Sequence, residues 1–195
     1  MKGNQVLQVE LFSYWQAGTG RGSGAHVDNL SHTDADGLPE IPGRTLKGIL
    51  RDATRTAGLR GWLDDAQLHQ VLFGARAEEA GASQPGCLRV GSAQLPSEER
   101  RWLAEAGRDC VPELFRDLHS TSIDPNTGTA RAHSLRGIQV VIPLVLSARI
   151  AELDAAPAGW VEQLRRCLPL VRAVGSSRSR GLGRARLTLL ETADA

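Results

Sequence analysis

From Gln5 to Trp15 apolar and polar residues alternate, with Leu7, Val9 and Leu11 on one side, the two-residue period of a half-buried strand. After Pro42 and Gly43, a rigid turn, the period changes. Leu46, Ile49, Leu50, Ala53 and Ala57 recur at helical spacing, which predicts a helix with one face in a core. Trp62 to Phe73 reads as a second short helical piece closed by Gly74, and Gly86 to Ala93 as a strand. Ser97 to Ala106 reads as a helix or connector, with Trp102 assigned to packing. Between His119 and Val141 the turn formers of Ile123–Ala130 are flanked by segments able to pair, the pattern of a long hairpin with a polar tip. Leu144, Leu146, Ala148 and Ile150 alternate as a strand set apart by Pro143. Pro157 precedes a second long helix whose buried face is Trp160, Val161, Leu164, Leu168 and Val171, and Pro169 should kink or end it. Gly175 to Arg184 is a glycine-rich loop, and Arg184 to Leu190 alternates as a last strand.

In order these are strand, helix, strand, inserted hairpin, strand, helix, glycine loop and strand. The predicted fold is α+β, a ferredoxin-like (RRM-like) βαββαβ sandwich with a protruding β-hairpin and insertions. The 195 residues suit a single domain over 1–195, with the hairpin at about 119–142 and the glycine-rich loop at 175–184. RNA-recognition modules share this architecture. Aromatic residues make up only 4% of the chain, and the pair on which such modules stack bases is missing, so contact with an RNA should be mainly to its phosphates.

Composition narrows this little. Apolar and charged fractions of 41% and 23% are those of a globular protein, and a net charge of +1 requires any polyanion to be met by local patches. Arginine supplies nearly all the basic residues, but an alanine-rich chain of GC-rich coding carries that bias anyway. No apolar run approaches membrane-spanning length and no signal-like segment opens the sequence, so a cytoplasmic location is expected. Cys87, Cys110 and Cys167 are odd in number and far apart, which predicts reduced thiols rather than a metal-ligand pair.

Three stretches carry candidate chemistry. On the polar side of the first helix Arg44, Lys47, Arg51 and Arg55 form a ladder of cations beside a helix N-terminus, whose N–H groups favour anions. A plain solvated face has the same appearance. Gly18 to Gly24 follows a strand but runs into a polar, non-periodic segment instead of a helix, which argues against a dinucleotide loop. That segment, His26 to Asp36, holds two histidines and three aspartates without a helical zinc spacing or an EF-hand pattern. From Arg172 to Arg186 there are five arginines and no acid. Glycines that let backbone approach a ligand, amid Ser176, Ser177, Arg178, Arg180 and Arg184, predict a phosphate cradle, with a flexible linker as the alternative reading. It lacks the Lys-Ser/Thr and following helix of a nucleotide P-loop. The hairpin return adds Arg131, His133 and Arg136.

Here the chain resembles a known family. Ile41-Pro42-Gly43-Arg44-Thr45-Leu46-Lys47-Gly48 is similar to the I-P-G-S-S-L-K-G signature of the RAMP superfamily, the repeat-associated subunits of CRISPR effector complexes. Gly175–Arg184 resembles that superfamily's glycine-rich loop, and Phe73-Gly74 with Arg89-Val90-Gly91-Ser92-Ala93 resembles its F-G and strand pattern. Ser122 to Ala130 resembles the A-I-D-R-x-T-G-x-A hairpin, called the thumb, of the backbone (Csm/Cmr-type) subunits of type III complexes. Arg44 stands where the signature usually has serine, and Pro125 where the thumb usually has a basic residue.

The resemblance implies a guide-RNA (crRNA)-binding backbone subunit. Its copies line up along one guide, and thumbs (here Ile123, Asp124 and Thr127) cross the guide–target duplex. It implies cleavage of the bound target RNA by an aspartate after the first strand with a divalent metal, Mg2+ or Mn2+. The family pattern there is an aspartate, five residues and a second aspartate. Asp28 and Asp34 fit it, making Asp28 the candidate catalyst and metal ligand and Asp34 structural, with His26 and His32 as candidate assistants. The implied partners are crRNA, complementary target RNA, further copies or related backbone subunits, the large polymerase/cyclase-like subunit and the small helical subunits, with no membrane. Competing readings are an inert scaffold of the same kind, a guide-processing ribonuclease of the same superfamily, and, remotely, a nucleotide-dependent enzyme.

Overall fold

A computed structural model describes residues 4–23, 27–75, 77 and 81–191. Its main sheet has four strands in the order β2 (Leu88–Val90), β5 (Val145–Glu152), β1 (Asn4–Leu11) and β6 (Ala185–Glu191), antiparallel throughout. The inserted strands β3 (Phe115–Ser120) and β4 (Arg136–Val141) form a separate two-stranded sheet. With that insertion set aside, the chain runs β1, α1 (Gly43–Leu59), β2, β5, α4 (Trp160–Cys167), β6, the βαββαβ order expected.

The central place of β1 follows from its alternation. Leu7, Val9 and Leu11 are fully or almost fully buried, and both edges are paired, Val9 lying opposite Leu146 on β5 and Leu187 on β6. Against them pack Leu46, Leu50, Ala53 and Ala57 of α1 and Trp160, Leu164 and Cys167 of α4. Two smaller helices complete the body, α2 (Leu68–Phe73), closed by Gly74, and α3 (Ser97–Ala104). After α4 the chain tightens into a 3-10 turn at Leu168–Leu170, where Pro169 cannot continue an α-helix.

Several boundaries differ from the periodic reading: the second helical piece begins at Leu68 instead of Trp62, and the strand expected over Gly86–Ala93 covers only Leu88–Val90. The first strand ends at Leu11 instead of Trp15, because Trp15 leaves the sheet to pair with Val141 at the foot of the hairpin. There its buried indole donates to the Ile142 carbonyl at 3.0 Å. The hairpin also starts earlier than His119, since Phe115 already faces Val141. Trp102 is half exposed and rests against Gly107. Among the described residues no helix is long and apolar enough to cross a membrane.

Candidate nucleic-acid interface

The start of α1 is held by main chain. Ile41 exchanges two hydrogen bonds of 2.9 Å with Ala93, and a Cβ at Gly43 would collide with the Val90 carbonyl. Only glycine lets the helix begin so close to the sheet, and Arg44 is thereby carried outward, exposed. The glycine-rich loop is held from the other side. Ser176 N–H donates to the Gln16 carbonyl at 2.8 Å and Gly183 N–H to that of Tyr14 at 2.7 Å. Gly175, at φ 91°, lies against the Gln16 carbonyl where a Cβ would clash, so this position needs glycine for both its torsion and its contact. Ser177, at φ 54°, then opens a 3-10 turn over Arg178–Arg180.

Between these two pieces lies a trough. One hollow of about 690 Å³ is walled by Arg44, Thr45, Gly48 and Ile49 of α1 and by Arg172, Arg178 and Ser179. A second, of about 280 Å³, is walled by Arg44, Thr45, Ile49, Gly18, Ser176 and Arg178. The two hollows adjoin, with Arg44, Thr45, Ile49 and Arg178 lining both. Among the described residues Asp52 is the one acid lining either hollow, and its carboxylate accepts from Arg55 at 3.0 Å. Low acid content, the guanidiniums of Arg44, Arg172 and Arg178 and a glycine-rich backbone suit a string of phosphates.

The other predicted cations do not share that trough. Lys47 and Arg51 line another hollow of about 610 Å³ beside Gly74 and Gly86, which meets the first at Gly48 and Asp52. Arg51 Nε donates to the Gly74 carbonyl at 3.1 Å, tying α1 to the end of α2. Arg184 lines a further hollow with Arg172, while Arg180 is exposed on the loop. Arg131 lies at the hairpin tip, 3.8 Å from Asp124. Around that tip Ile123 is exposed, Asp124 caps the turn by accepting from Asn126 N–H at 2.8 Å, and the hydroxyls of Thr127 and Thr129 are 2.8 Å apart.

Asp28 sits at the foot of the hairpin. Its N–H donates to the Gly137 carbonyl at 2.7 Å and its Oδ2 accepts from Gly137 N–H at 2.8 Å, while the residue remains exposed. The same segment is laced to β4 by Gln139 N–H on the Asn29 carbonyl (3.0 Å) and Ser31 Oγ on the Gln139 carbonyl (2.7 Å). Asp34 is structural: Oδ1 accepts from Asp36 and Leu38 N–H, both at 3.0 Å, and Oδ2 meets Arg100 at 3.2 Å. His32 Nδ1 lies 3.3 Å from the Glu40 carboxylate without a hydrogen bond to it. Glu40 accepts from Gln94, and Gln94 from Arg100, so these groups brace the loop before α1. His26 lies outside the described residues.

The donor set around Asp28 is sparse. Among the described residues no three His, Cys, Asp or Glu side chains gather as a metal-holding group. One carboxylate with one oxygen already engaged fits a magnesium ion only if phosphate oxygens and water supply the other ligands. Reading the sequence missed Gln16. Fully buried, it accepts from Ser176 through its carbonyl and donates through Nε2 to the Asn29 carbonyl at 2.9 Å, linking the glycine-rich loop to the Asp28 segment. A lone glutamine after a strand carries no periodic signal of such a bridge.

A split βαβ sandwich with a cationic trough beside its first helix and a projecting hairpin defines a class of ferredoxin-like α+β protein. The chain belongs to the RAMP superfamily, whose family model matches residues 9–186. Among solved structures it is similar to a chain of type III-B Cmr-beta bound to cognate target RNA, with a TM-score of 0.72 at 10% identity over 95% of this chain and 96% of that one. It is equally similar to a chain of apo type III-B Cmr-beta, with a TM-score of 0.72 at 10% identity over 97% and 98%. At that identity the likeness is one of fold. No curated protein sequence matches the chain.

Proposed function

We propose that the chain is a guide-RNA (crRNA)-binding backbone subunit of a type III CRISPR interference complex, and that Asp28 cleaves the bound target RNA. The observation that carries the binding half is the convergence of Arg44, from the helix signature, and Ser176 and Arg178, from the glycine-rich loop, on one trough. Phosphates laid along it meet guanidiniums and backbone at fixed spacing. The hairpin projects beside it and, by likeness to the thumb, crosses the guide–target duplex. The partners on this reading are crRNA, target RNA, neighbouring backbone subunits, and the large and small subunits of the complex.

For cleavage, Asp28 offers a carboxylate held at one oxygen by Gly137. The other oxygen takes the proton of an RNA 2′-hydroxyl as the 2′-oxygen bonds to the adjacent phosphorus. The bond to the 5′-oxygen breaks, and that oxygen leaves after taking a proton from water. Asp28, together with the RNA phosphates and water, would hold a divalent ion, which would offset the charge that develops on the phosphate.

The Gly137 hydrogen bond also favours a second reading, in which Asp28 only latches its loop to the hairpin and the subunit is a scaffold. Asp28→Asn separates the two better than Asp28→Ala, because the amide oxygen still accepts from Gly137. Catalysis by Asp28 predicts at least about a hundredfold loss of target cleavage in the reconstituted complex, with guide and target affinities within about twofold of wild type. Cleavage at the wild-type rate makes Asp28 a latch.

A further inference from the structure

Beyond Val171 and Arg172, which also wall the trough, the surface opens into another hollow of about 530 Å³ at the β6 edge of the sheet. It is lined by Phe12, Arg172, Arg184 and Arg186 above Leu168 and Leu187, and among the described residues no acidic side chain lines it. Phe12 is the first residue after β1. Its N–H donates to the Arg184 carbonyl at 2.8 Å, so main chain fixes the ring's place, yet the residue is 44% exposed. The Arg186 guanidinium lies over that ring, 5.4 Å from its centre. It also stands 3.7 Å from the Glu10 carboxylate, an exposed pair and therefore a weak one. An exposed aromatic ring, a guanidinium plane over it and two more arginines beside it are the parts of a stacking platform for single-stranded nucleic acid.

We propose that this hollow takes an unstacked base of single-stranded RNA, stacked against Phe12 and Arg186, with Arg172 and Arg184 on the flanking phosphates. The inference rests on the trough being the RNA path, since Arg172 is the step from one to the other. The volume is ample for one base and its sugar. An acidic protein segment would use the same arginines but would gain less from the ring.

The test uses the full chain and a fluorescent oligouridine carrying 4-thiouridine. Phe12→Ala is expected to weaken binding about fivefold to thirtyfold with no change in salt slope, the mark of lost stacking. Arg172→Ala is expected to weaken binding and flatten the log–log salt slope by about 0.7, the mark of a lost phosphate contact. Crosslinks should fall on the peptide containing Phe12. If Phe12→Ala stays within about twofold and no crosslink reaches that peptide while Arg44→Ala still weakens binding, the base site is overturned and the trough stands. If Arg44→Ala is also without effect, the trough falls as well. Competition by polyglutamate without any crosslink at Phe12 would assign the hollow to an acidic protein and overturn the inference.

Discussion

The trough and the foot of the hairpin lie on one small body, yet they are positioned in opposite ways. Arg44 inherits its place from a helix whose buried face is fixed by the core, and Arg178 from a loop whose glycine is forced by a main-chain contact. Asp28 has no such backing. It is placed by hydrogen bonds from an irregular segment to β4, with Trp15 as its apolar anchor nearby in the chain. A packed core gives a surface that tolerates many sequences on its outer side. A hydrogen-bonded lacing gives a carboxylate whose position depends on each bond in the lacing.

Breaking the anchor should have the largest effect. Trp15→Ala removes a fully buried indole and its bond to Ile142, and is expected to cost about 3–5 kcal/mol in a denaturant melt. Hydrogen exchange should rise first at Asp28–Ser31 and Gly137–Val141, while amides of α1 stay protected. Uniform loss of protection would mean that the two regions are not separately held.

The helix cations sharpen the contrast at a smaller scale. Arg51→Ala should cost about 1–2 kcal/mol, because it strips a charged donor from the Gly74 carbonyl. Arg55→Ala, breaking an exposed pair with Asp52, should cost less than about 0.5 kcal/mol. Equal costs in thermal melts would contradict the placement of Arg51 as a tie between α1 and α2.

The cysteines give the smallest effect. Burial pushes the Cys87 and Cys167 thiols up, whereas Cys110 is exposed. The folded protein therefore keeps protons that the unfolded chain releases above about pH 8.5, so stability should decline as pH rises past that point. At pH 8 a maleimide should label Cys110 and reach the other two only on unfolding. Rapid labelling of Cys167 would show that α4 is looser than its packing implies.

Periodicity sufficed for the sandwich, because Leu7, Val9 and Leu11 on β1 and Leu46, Leu50 and Ala53 on α1 each repeat at the spacing of one buried face. It failed at Trp15, whose alternation continues that of the strand while its partners, Val141 and Ile142, belong to the hairpin. The site was legible in part. The spacing of Arg44, Lys47, Arg51 and Arg55 placed them on one polar side, but did not show that Arg44 lines one hollow while Lys47 and Arg51 line another. Nor could local pattern reveal Gln16 joining Ser176 to Asn29, or Gly137 holding Asp28, since each bond joins segments distant in the chain.

The trough itself is tested most directly by a salt series. Binding of a single-stranded RNA should be followed for wild type and for Arg44→Ala/Arg178→Ala, with folding confirmed by melting. The double variant should bind at least about tenfold more weakly at moderate salt, with a log–log slope flatter by about 1.4, two phosphate contacts at about 0.7 each. An affinity and slope equal to those of wild type would mean that RNA does not lie between α1 and the glycine-rich loop.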